Sequence, residues 1–291
     1  MKKIFYLISK RQRILYEVIP FIALIILSKY FVHRFSLEFI SLNSIFSGII
    51  GANVFLMGFL LNGVLSDYKE SEKLPGELSA MIATMSDEME IMCRSKKSQI
   101  PLEAMKHLLL LSLSIRDWFF KREETDSVLR RITSLNGYFL SFEPLTQANF
   151  IARLKQEQNS LRKLIIRIHT IRETSFISSG YFIASTTTIL LVLGLIFSKI
   201  EPFYESYFFV SVVSYLLIYL IFLIKDLDNP FGYSEDISSE DVSLKPLDDV
   251  INDIGARISD ISAIINHSNS AEVKAQTSAK KTIRPVKARQ K

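Results

Sequence analysis

Apolar residues form four long blocks along the chain, and most of the charged residues lie between and after these blocks. The blocks run from Ile14 to Val32, from Ile45 to Leu65, from Phe176 to Ile200 and from Tyr207 to Ile224. A helix needs about 20 mostly apolar residues to cross roughly 30 Å of hydrocarbon. Each block approaches or exceeds that length, so the pattern predicts four membrane-spanning helices.

The segments between and after the spans have apolar residues three and four positions apart, which is typical of amphipathic helices. We expect one helix from Glu77, a second over Pro101–Phe120 and a third over about Leu145–Thr174. The apolar run Leu108–Leu113 is too short to span a membrane and fits the buried face of the second helix. Beyond Val250 the sequence predicts one more amphipathic helix.

One side of the third helix is basic. It carries Arg153, Lys155, Arg162, Lys163, Arg167 and Arg172. Such a face can dock anionic lipid, nucleic acid or an acidic neighbour. A solvated face next to the membrane is the simpler interpretation, so we expect no nucleic-acid partner.

The distribution of Lys and Arg predicts the orientation of the spans, because cytoplasmic loops carry the excess of positive charge. The basic residues ahead of the first span are Lys2, Lys3, Lys10, Arg11 and Arg13. The connection between the first two spans offers Arg34, with Lys29 in the end of the span, and the connection between the last two offers Lys199. Both termini and the 66–175 segment are therefore expected in the cytosol, with both short loops outside.

Composition agrees with this organisation: the chain of 291 residues is 48% hydrophobic, 22% charged and has a formal net charge of +5. We predict an all-α integral membrane protein with four transmembrane helices and a cytosolic helical bundle. Residues 1–75 hold the first two spans, 76–175 the cytosolic helical region and 176–225 the last two spans. A cytosolic C-terminal region follows over 226–267, and a basic tail over 268–291 is expected to be disordered.

The sequence lacks the patterns that carry common catalytic and metal chemistry. The histidines His33, His107, His169 and His267 are isolated, and Cys93 is the single cysteine. No metal-ligand spacing, phosphate-binding glycine loop or nucleophile elbow occurs. We therefore expect no enzyme, no cofactor and no resident metal, and we interpret Cys93 as a buried helix residue.

The second span repeats small and polar residues: Gly48, Gly51, Asn53, Gly58, Asn62 and Gly63. Phe55 and Phe59 are four positions apart and share a helical face. One interpretation is close helix packing through small residues, with the asparagines bonded to a neighbouring helix. The other is a pore-lining helix, in which a ring of Phe55 and Phe59 forms a hydrophobic constriction with Asn62 at its mouth.

Two motifs then point to a family. The first is Gly58-Phe59, Asn62, Tyr68, Glu70, Lys73, Leu74 and Gly76 at the end of the second span, and the second is Asn229-Pro230-Phe231-Gly232 after the fourth. Both lie in the order and place in which the bestrophins carry theirs. The chain resembles this family over its four-span frame, from about residue 10 to 250, and the bestrophin-like membrane proteins of bacteria fit equally well.

The resemblance implies a homo-pentameric channel in the plasma membrane, the inner membrane if the source is bacterial, with membrane lipid and small inorganic ions as its other partners. Gly51, Phe55 and Phe59 occupy the neck positions by register, and Asn62 lies at the mouth. Anions such as chloride are the implied substrate, although bacterial members can favour cations. Gly51 departs from the bulky apolar residue usual at the first neck position, which leaves a wider or differently built entrance.

A second departure concerns calcium. Animal bestrophins follow the Asn-Pro-Phe-Gly signature with an unbroken acidic run that helps to hold Ca²⁺, whereas here Tyr233 and Ser234 precede Glu235 and Asp236. Calcium takes about six to eight oxygen ligands, so a calcium clasp is not expected. We interpret Asn229, Pro230, Phe231 and Gly232 as a structural turn that ends the fourth span. The residues are also compatible with a membrane-anchored structural or signalling protein whose cytosolic helices bind a partner.

Overall fold

The structure is a computed structural model that describes residues 13–173, 178–232 and 241–282. Its helices are α1 (Arg13–Arg34), α2 (Ser44–Ser71), α3 (Leu74–Lys96), α4 (Gln99–Phe119), α5 (Thr125–Ser141), α6 (Ala148–Glu173), α7 (Ser178–Ile196), α8 (Phe203–Leu227) and α9 (Lys245–Thr282). The strands β1 (Ile40–Ser41) and β2 (Ser198–Lys199) form a short parallel pair. Helices α1, α2, α7 and α8 are long and apolar enough to cross a membrane, so the four predicted spans are confirmed as helices.

Local sequence explains where α2 begins and ends. The Asn43 side chain caps its first turn by accepting a hydrogen bond from the backbone N–H of Phe46 at 2.9 Å. At the other end the N–H of Glu72 donates to the carbonyl of Tyr68 at 3.0 Å. Two residues later α3 begins, with Pro75 in its first turn, where a missing N–H costs nothing.

The chain divides into two compact units, of which the first contains the described residues of Met1–Lys73 and Thr170–Val242. In this unit α1 and α2 each pack against α7 and α8. One apolar cluster joins α2, α7 and α8 through Met57, Leu60, Val64, Ala184, Leu191, Leu217, Ile224 and Leu227. Packing is close where a small residue allows it, since a Cβ on Gly194 would lie 2.7 Å from the Cε2 of Phe46.

The two connections on the predicted outer side are joined to each other. Ile40 pairs with Ser198 in the short parallel ladder. Beside it the fully buried ammonium of Lys29 donates to Oε1 of Glu38 at 2.8 Å and to the carbonyl of Ile196 at 3.2 Å, and also to the carbonyl of Ser198. Lys29, which serves in the sequence only as an orientation marker, is therefore a structural residue that ties α1 to the end of α7.

The second unit contains the described residues of Leu74–His169 and Ser243–Lys291. Here α4 packs against α3 and α5, and α9 packs against α3 and α4. Helix α5 is not among the helices predicted from the sequence, although a stripe of buried residues three and four apart runs along it: Val128, Ile132, Leu135 and Phe139. The run Leu108–Leu113 lies in α4 with Leu108 and Leu111 buried, as expected.

The apolar side of α6 is buried through Leu154, Leu161, Leu164, Ile165 and Ile168. Part of its basic side also has partners within the unit. Arg153 forms an ion pair with Glu88 at 2.9 Å, and Arg162 donates to the hydroxyl of Thr133 at 3.0 Å. Both interactions lie at the surface of the bundle, where the Arg153 side chain remains 58% exposed, so these cations contribute to the fold while facing solvent.

The last helix is longer than the sequence analysis expects. The backbone of α9 is helical from Lys245 through Thr282, so the boundary predicted at Ser268 falls inside a helix. The rest of the predicted tail, 283–291, lies outside the described residues. Disorder of the tail therefore stays a prediction.

Candidate functional site on the second span

Helix α2 has one side that packs within the chain. Asn53, Met57, Leu60 and Val64 are buried on this side, three and four positions apart, against α7 and α8. Such spacing places all four on one helical face. This face fixes the rotation of α2 about its axis, and therefore decides which residues lie on the other side.

The opposite side of α2 is exposed and packs against none of the described helices. Gly51, Phe55, Phe59 and Asn62 are all exposed there, and the two phenylalanines expose 79% and 64% of their surface. The successive spacings of four, four and three residues place these side chains in one line along the helix. The structure thus brings the four sequence-predicted site residues together on a single open face.

The polar residues of α2 divide between the two sides. Asn53 faces inward, where its amide donates to the Thr188 hydroxyl at 3.0 Å and accepts from the Thr187 hydroxyl at 2.6 Å. Both threonines belong to α7, so the hydrogen bonds join the two spans. The packing interpretation of the span is therefore correct for Asn53, whereas Asn62 lies on the open face.

Three glycines of α2 are not needed for close packing within the described part of the chain. A Cβ added at Gly48, Gly51 or Gly58 would meet no heavy atom within 4 Å. The close-packing interpretation consequently fails for these three positions inside the protomer. Their small size affects only the open face and whatever lies against it.

The Asn229–Gly232 turn directly follows α8, as expected for a motif that ends the fourth span. Phe231 is 1% exposed, and the carbonyl of Pro230 accepts a hydrogen bond from the N–H of Val242 at 3.0 Å. Gly232 does not have a positive φ. Glycine is favoured instead by a close approach, since a Cβ there would lie 3.0 Å from Nδ2 of Asn229, and that amide would have to shift slightly.

The structure describes no alternative chemical centre. Within 13–173, 178–232 and 241–282, no group of three His, Cys, Asp or Glu side chains is close enough to hold a metal ion. Glu235 and Asp236, which bear on the calcium question, lie outside these ranges. Cys93 is buried, and this burial raises the pKa of its thiol to about 11, so it is a poor nucleophile at neutral pH.

Comparison with solved structures identifies the architecture. A bacterial bestrophin homolog from Klebsiella pneumoniae matches with a TM-score of 0.69 at 15% sequence identity, covering 84% of this chain and 98% of that chain. A single-residue variant of that homolog matches with a TM-score of 0.70 at 15% identity, covering 86% and 98%. The chain has a bestrophin-like fold.

No protein-family model matches the sequence, and no curated protein matches it significantly. The bestrophin-like fold is therefore visible in the structure and in short motifs rather than in overall sequence similarity. It confirms the predicted class of all-α integral membrane protein. Within the bestrophin-like frame, the first motif runs from Gly58 in α2 to Gly76 in α3, and the second follows α8.

Proposed function

We propose that the chain forms an oligomeric ion channel, a homo-pentamer in the plasma membrane with both termini in the cytosol. The open faces of the α2 helices surround the pore, and small inorganic ions pass along it. Chloride and other anions are the proposed substrate class, following the resemblance to bestrophins. If the source is bacterial, the membrane is the inner membrane.

The observation that supports this proposal is the exposure of Phe55 and Phe59. These two large apolar rings lie on one line of α2 and are mostly exposed in the described part of the protomer. Because α2 is a membrane span, either lipid or another copy of the chain can cover these rings, and the exposed amide of Asn62 on the same line favours a polar cavity over lipid. In a ring of α2 helices, each pair gains apolar neighbours from the other copies.

The proposed neck works by excluding water. A narrow apolar ring at Phe55 and Phe59 raises the free-energy barrier to ion permeation. The ion must give up part of its hydration shell there, and the ring offers no polar groups that replace the lost water. Gly51 offers no side chain one turn before Phe55, so the neck is wider on that side. Asn62 supplies an amide next to Phe59, where the pore opens toward the predicted cytosolic side.

The experiment that tests the proposal compares two double variants in liposomes. Phe55→Ala with Phe59→Ala removes the neck, whereas Phe182→Ala with Phe208→Ala removes two rings that are 72% and 63% exposed on α7 and α8. We expect an assembled oligomer in both cases, with increased chloride flux only in the neck variant. The readout is chloride efflux from liposomes, with potassium efflux measured in parallel to establish the sign of the permeant ion.

The same experiment separates the channel from a membrane anchor. Because both neck rings are exposed in the protomer, their truncation leaves no internal cavity and should not reduce folding of the single chain. Wild-type protein that carries no ion flux as an assembled oligomer would overturn the channel proposal. Equal flux in wild type and neck variant would place the constriction elsewhere in the chain.

A further inference from the structure

The first unit contains an apolar cavity between α1, α7 and α8, on residues that the pore proposal does not use. Its volume is about 330 Å³. Its lining includes Phe21 and Leu24 of α1, Ser185, Thr188 and Ile189 of α7, and Ile221 and Phe222 of α8. All three helices are membrane spans, so the medium available to fill the cavity is lipid rather than water.

The wall of the cavity suits a hydrocarbon chain. The two hydroxyls in it leave almost no polar surface facing the cavity, and the hydroxyl of Thr188 is already an acceptor for Asn53. Leu24 and Ile189 remain 61% and 60% exposed, so the cavity is open at its side. An apolar cavity of this kind has no means of holding water.

Aromatic rings mark the end of the cavity that lies on the predicted cytosolic side. The rings of Phe21 and Phe222 meet there with their centroids 5.7 Å apart. Lys225 is three residues beyond Phe222 and four beyond Ile221 on α8, so it continues the same helical face by one turn. An apolar cavity is thus followed directly by a cation at the level where a span leaves the membrane.

The charge of Lys225 is available for a ligand. Its side chain is exposed and forms no ion pair with any residue in the described part of the chain. The neighbouring Asp226 has interactions of its own. On α1, Glu17 lies one turn before Phe21, but Arg13 neutralises it through an ion pair of 2.8 Å.

We propose that this cavity and Lys225 form a binding site for an anionic phospholipid of the cytosolic leaflet. One acyl chain fills the space between α1, α7 and α8, and the phosphate lies against the Lys225 ammonium. A lysine near the membrane surface contributes to anionic-lipid binding by attraction to the headgroup, and its stem covers apolar surface. The apolar cavity selects a hydrocarbon chain, and the cation selects the headgroup charge.

Charge complementarity favours this occupant over a helix from a second copy. A second copy would have to bring a carboxylate to Lys225 and an apolar ridge to the cavity at once. A phosphatidylglycerol molecule carries both groups on one flexible scaffold. The site does not depend on the pore, so its test is independent of ion flux.

The test uses purified, delipidated full-length protein with phosphatidylglycerol or phosphatidylcholine of identical acyl chains. Binding of each lipid is measured by native mass spectrometry, with thermal stabilisation as a second readout. Wild type should bind phosphatidylglycerol more tightly than phosphatidylcholine. Lys225→Gln should weaken phosphatidylglycerol binding about fivefold, the equivalent of about 1 kcal/mol, and leave phosphatidylcholine unchanged.

A second variant tests the cavity, and matched controls accompany both. Ile189→Trp fills the cavity and should weaken both lipids, whereas Ile183→Trp, on the same helix and 52% exposed, should weaken neither. Lys69→Gln removes a cation in the last turn of α2, away from the cavity, and should bind like wild type. Equal binding of the two lipids to wild type would overturn the proposal, and so would unchanged lipid binding in Lys225→Gln or Ile189→Trp. A variant that changes the mass of the oligomer but keeps its bound lipid would overturn it as well.

Discussion

The ammonium nitrogen of Lys29 lies 2.8 Å from Oε1 of Glu38, nine residues further along the chain, and the lysine side chain is fully buried. The second carboxylate oxygen of Glu38 lies 3.1 Å from Nδ1 of His33. The carboxylate therefore joins two successive turns of α1 to the connection that follows it. Its burial alone raises the pKa of Glu38, but the hydrogen bonds from Lys29 and His33 outweigh this and hold that pKa below its ordinary value.

Replacing Lys29 with methionine should destabilise the folded chain by about 3 kcal/mol, because Glu38 then keeps a largely buried charge without its main partner. The measurement is thermal unfolding of the purified protein in detergent. Glu38→Gln added to Lys29→Met should recover part of the loss. The control is Lys199→Met, whose ion pair with Glu201 is exposed and should matter far less. Equal losses in the two lysine variants would contradict a structural role for Lys29.

Glu123 should make the bundle sensitive to acid. Burial alone raises the pKa of this carboxyl, but hydrogen bonds from Ser114, Ser127 and Arg131 hold it below the ordinary value of 4.5. Because the folded-state pKa is depressed, the stability from Glu123 is present above pH 4.5 and is lost as pH falls through the folded-state pKa. Thermal unfolding against pH should therefore show a shallower acid-side loss for Glu123→Gln than for wild type.

A matched control makes the acid experiment specific. Glu103 is 54% exposed and forms an ion pair with Lys106 at 2.8 Å, so Glu103→Gln should leave the acid-side slope as it is in wild type. A slope that is the same in all three proteins would mean that other carboxyls dominate acid unfolding.

Gly232→Ala should lower the stability of the assembled protein through a single close approach. The new Cβ would lie 3.0 Å from Nδ2 of Asn229, so the amide must move. Asn229→Ala removes that amide, and the added cost of Gly232→Ala should then be smaller in this background, as a double-mutant cycle by thermal unfolding can measure. Additive losses would show that the two residues do not interact.

The predicted orientation can be tested by thiol labelling in intact cells. A cysteine at the exposed Ser41 should react with an impermeant reagent, and one at the exposed Lys96 should react only after permeabilisation. The native Cys93 should stay unlabelled in folded protein, because burial raises the pKa of its thiol to about 11. Labelling at Lys96 but not at Ser41 in intact cells would reverse the orientation.

The four spans could be predicted because hydrocarbon imposes both length and composition on a helix. The open face of α2 could be anticipated in part, since the spacing of Phe55, Phe59 and Asn62 places them on one side. Which side of α2 packs could not be read from the span alone. It depends on the hydrogen bonds of Asn53 with Thr187 and Thr188, which lie 134 and 135 positions further along the chain.

Two other features were missed for different physical reasons. The stripe of Val128, Ile132, Leu135 and Phe139 has the three-and-four spacing that predicts an amphipathic helix, so α5 could have been found from the sequence. The partners of Lys29 on α7 and β2 are backbone carbonyls, which every residue has and which therefore carry no sequence signal. The preference for Gly232 likewise carries no sequence signal, since it arises from the close approach of Asn229 and not from a positive φ.

The buried position of Lys29 has a consequence for biosynthesis. Its carbonyl partners, Ile196 and Ser198, are 167 and 169 residues further along the chain, and the helices from α2 to α6 are made in between. During translation α1 therefore enters the membrane with an ammonium group that only Glu38 and interfacial water can satisfy. That lysine acquires its full set of partners only when α7 and β2 emerge, so the link between α1 and the end of α7 forms late in synthesis.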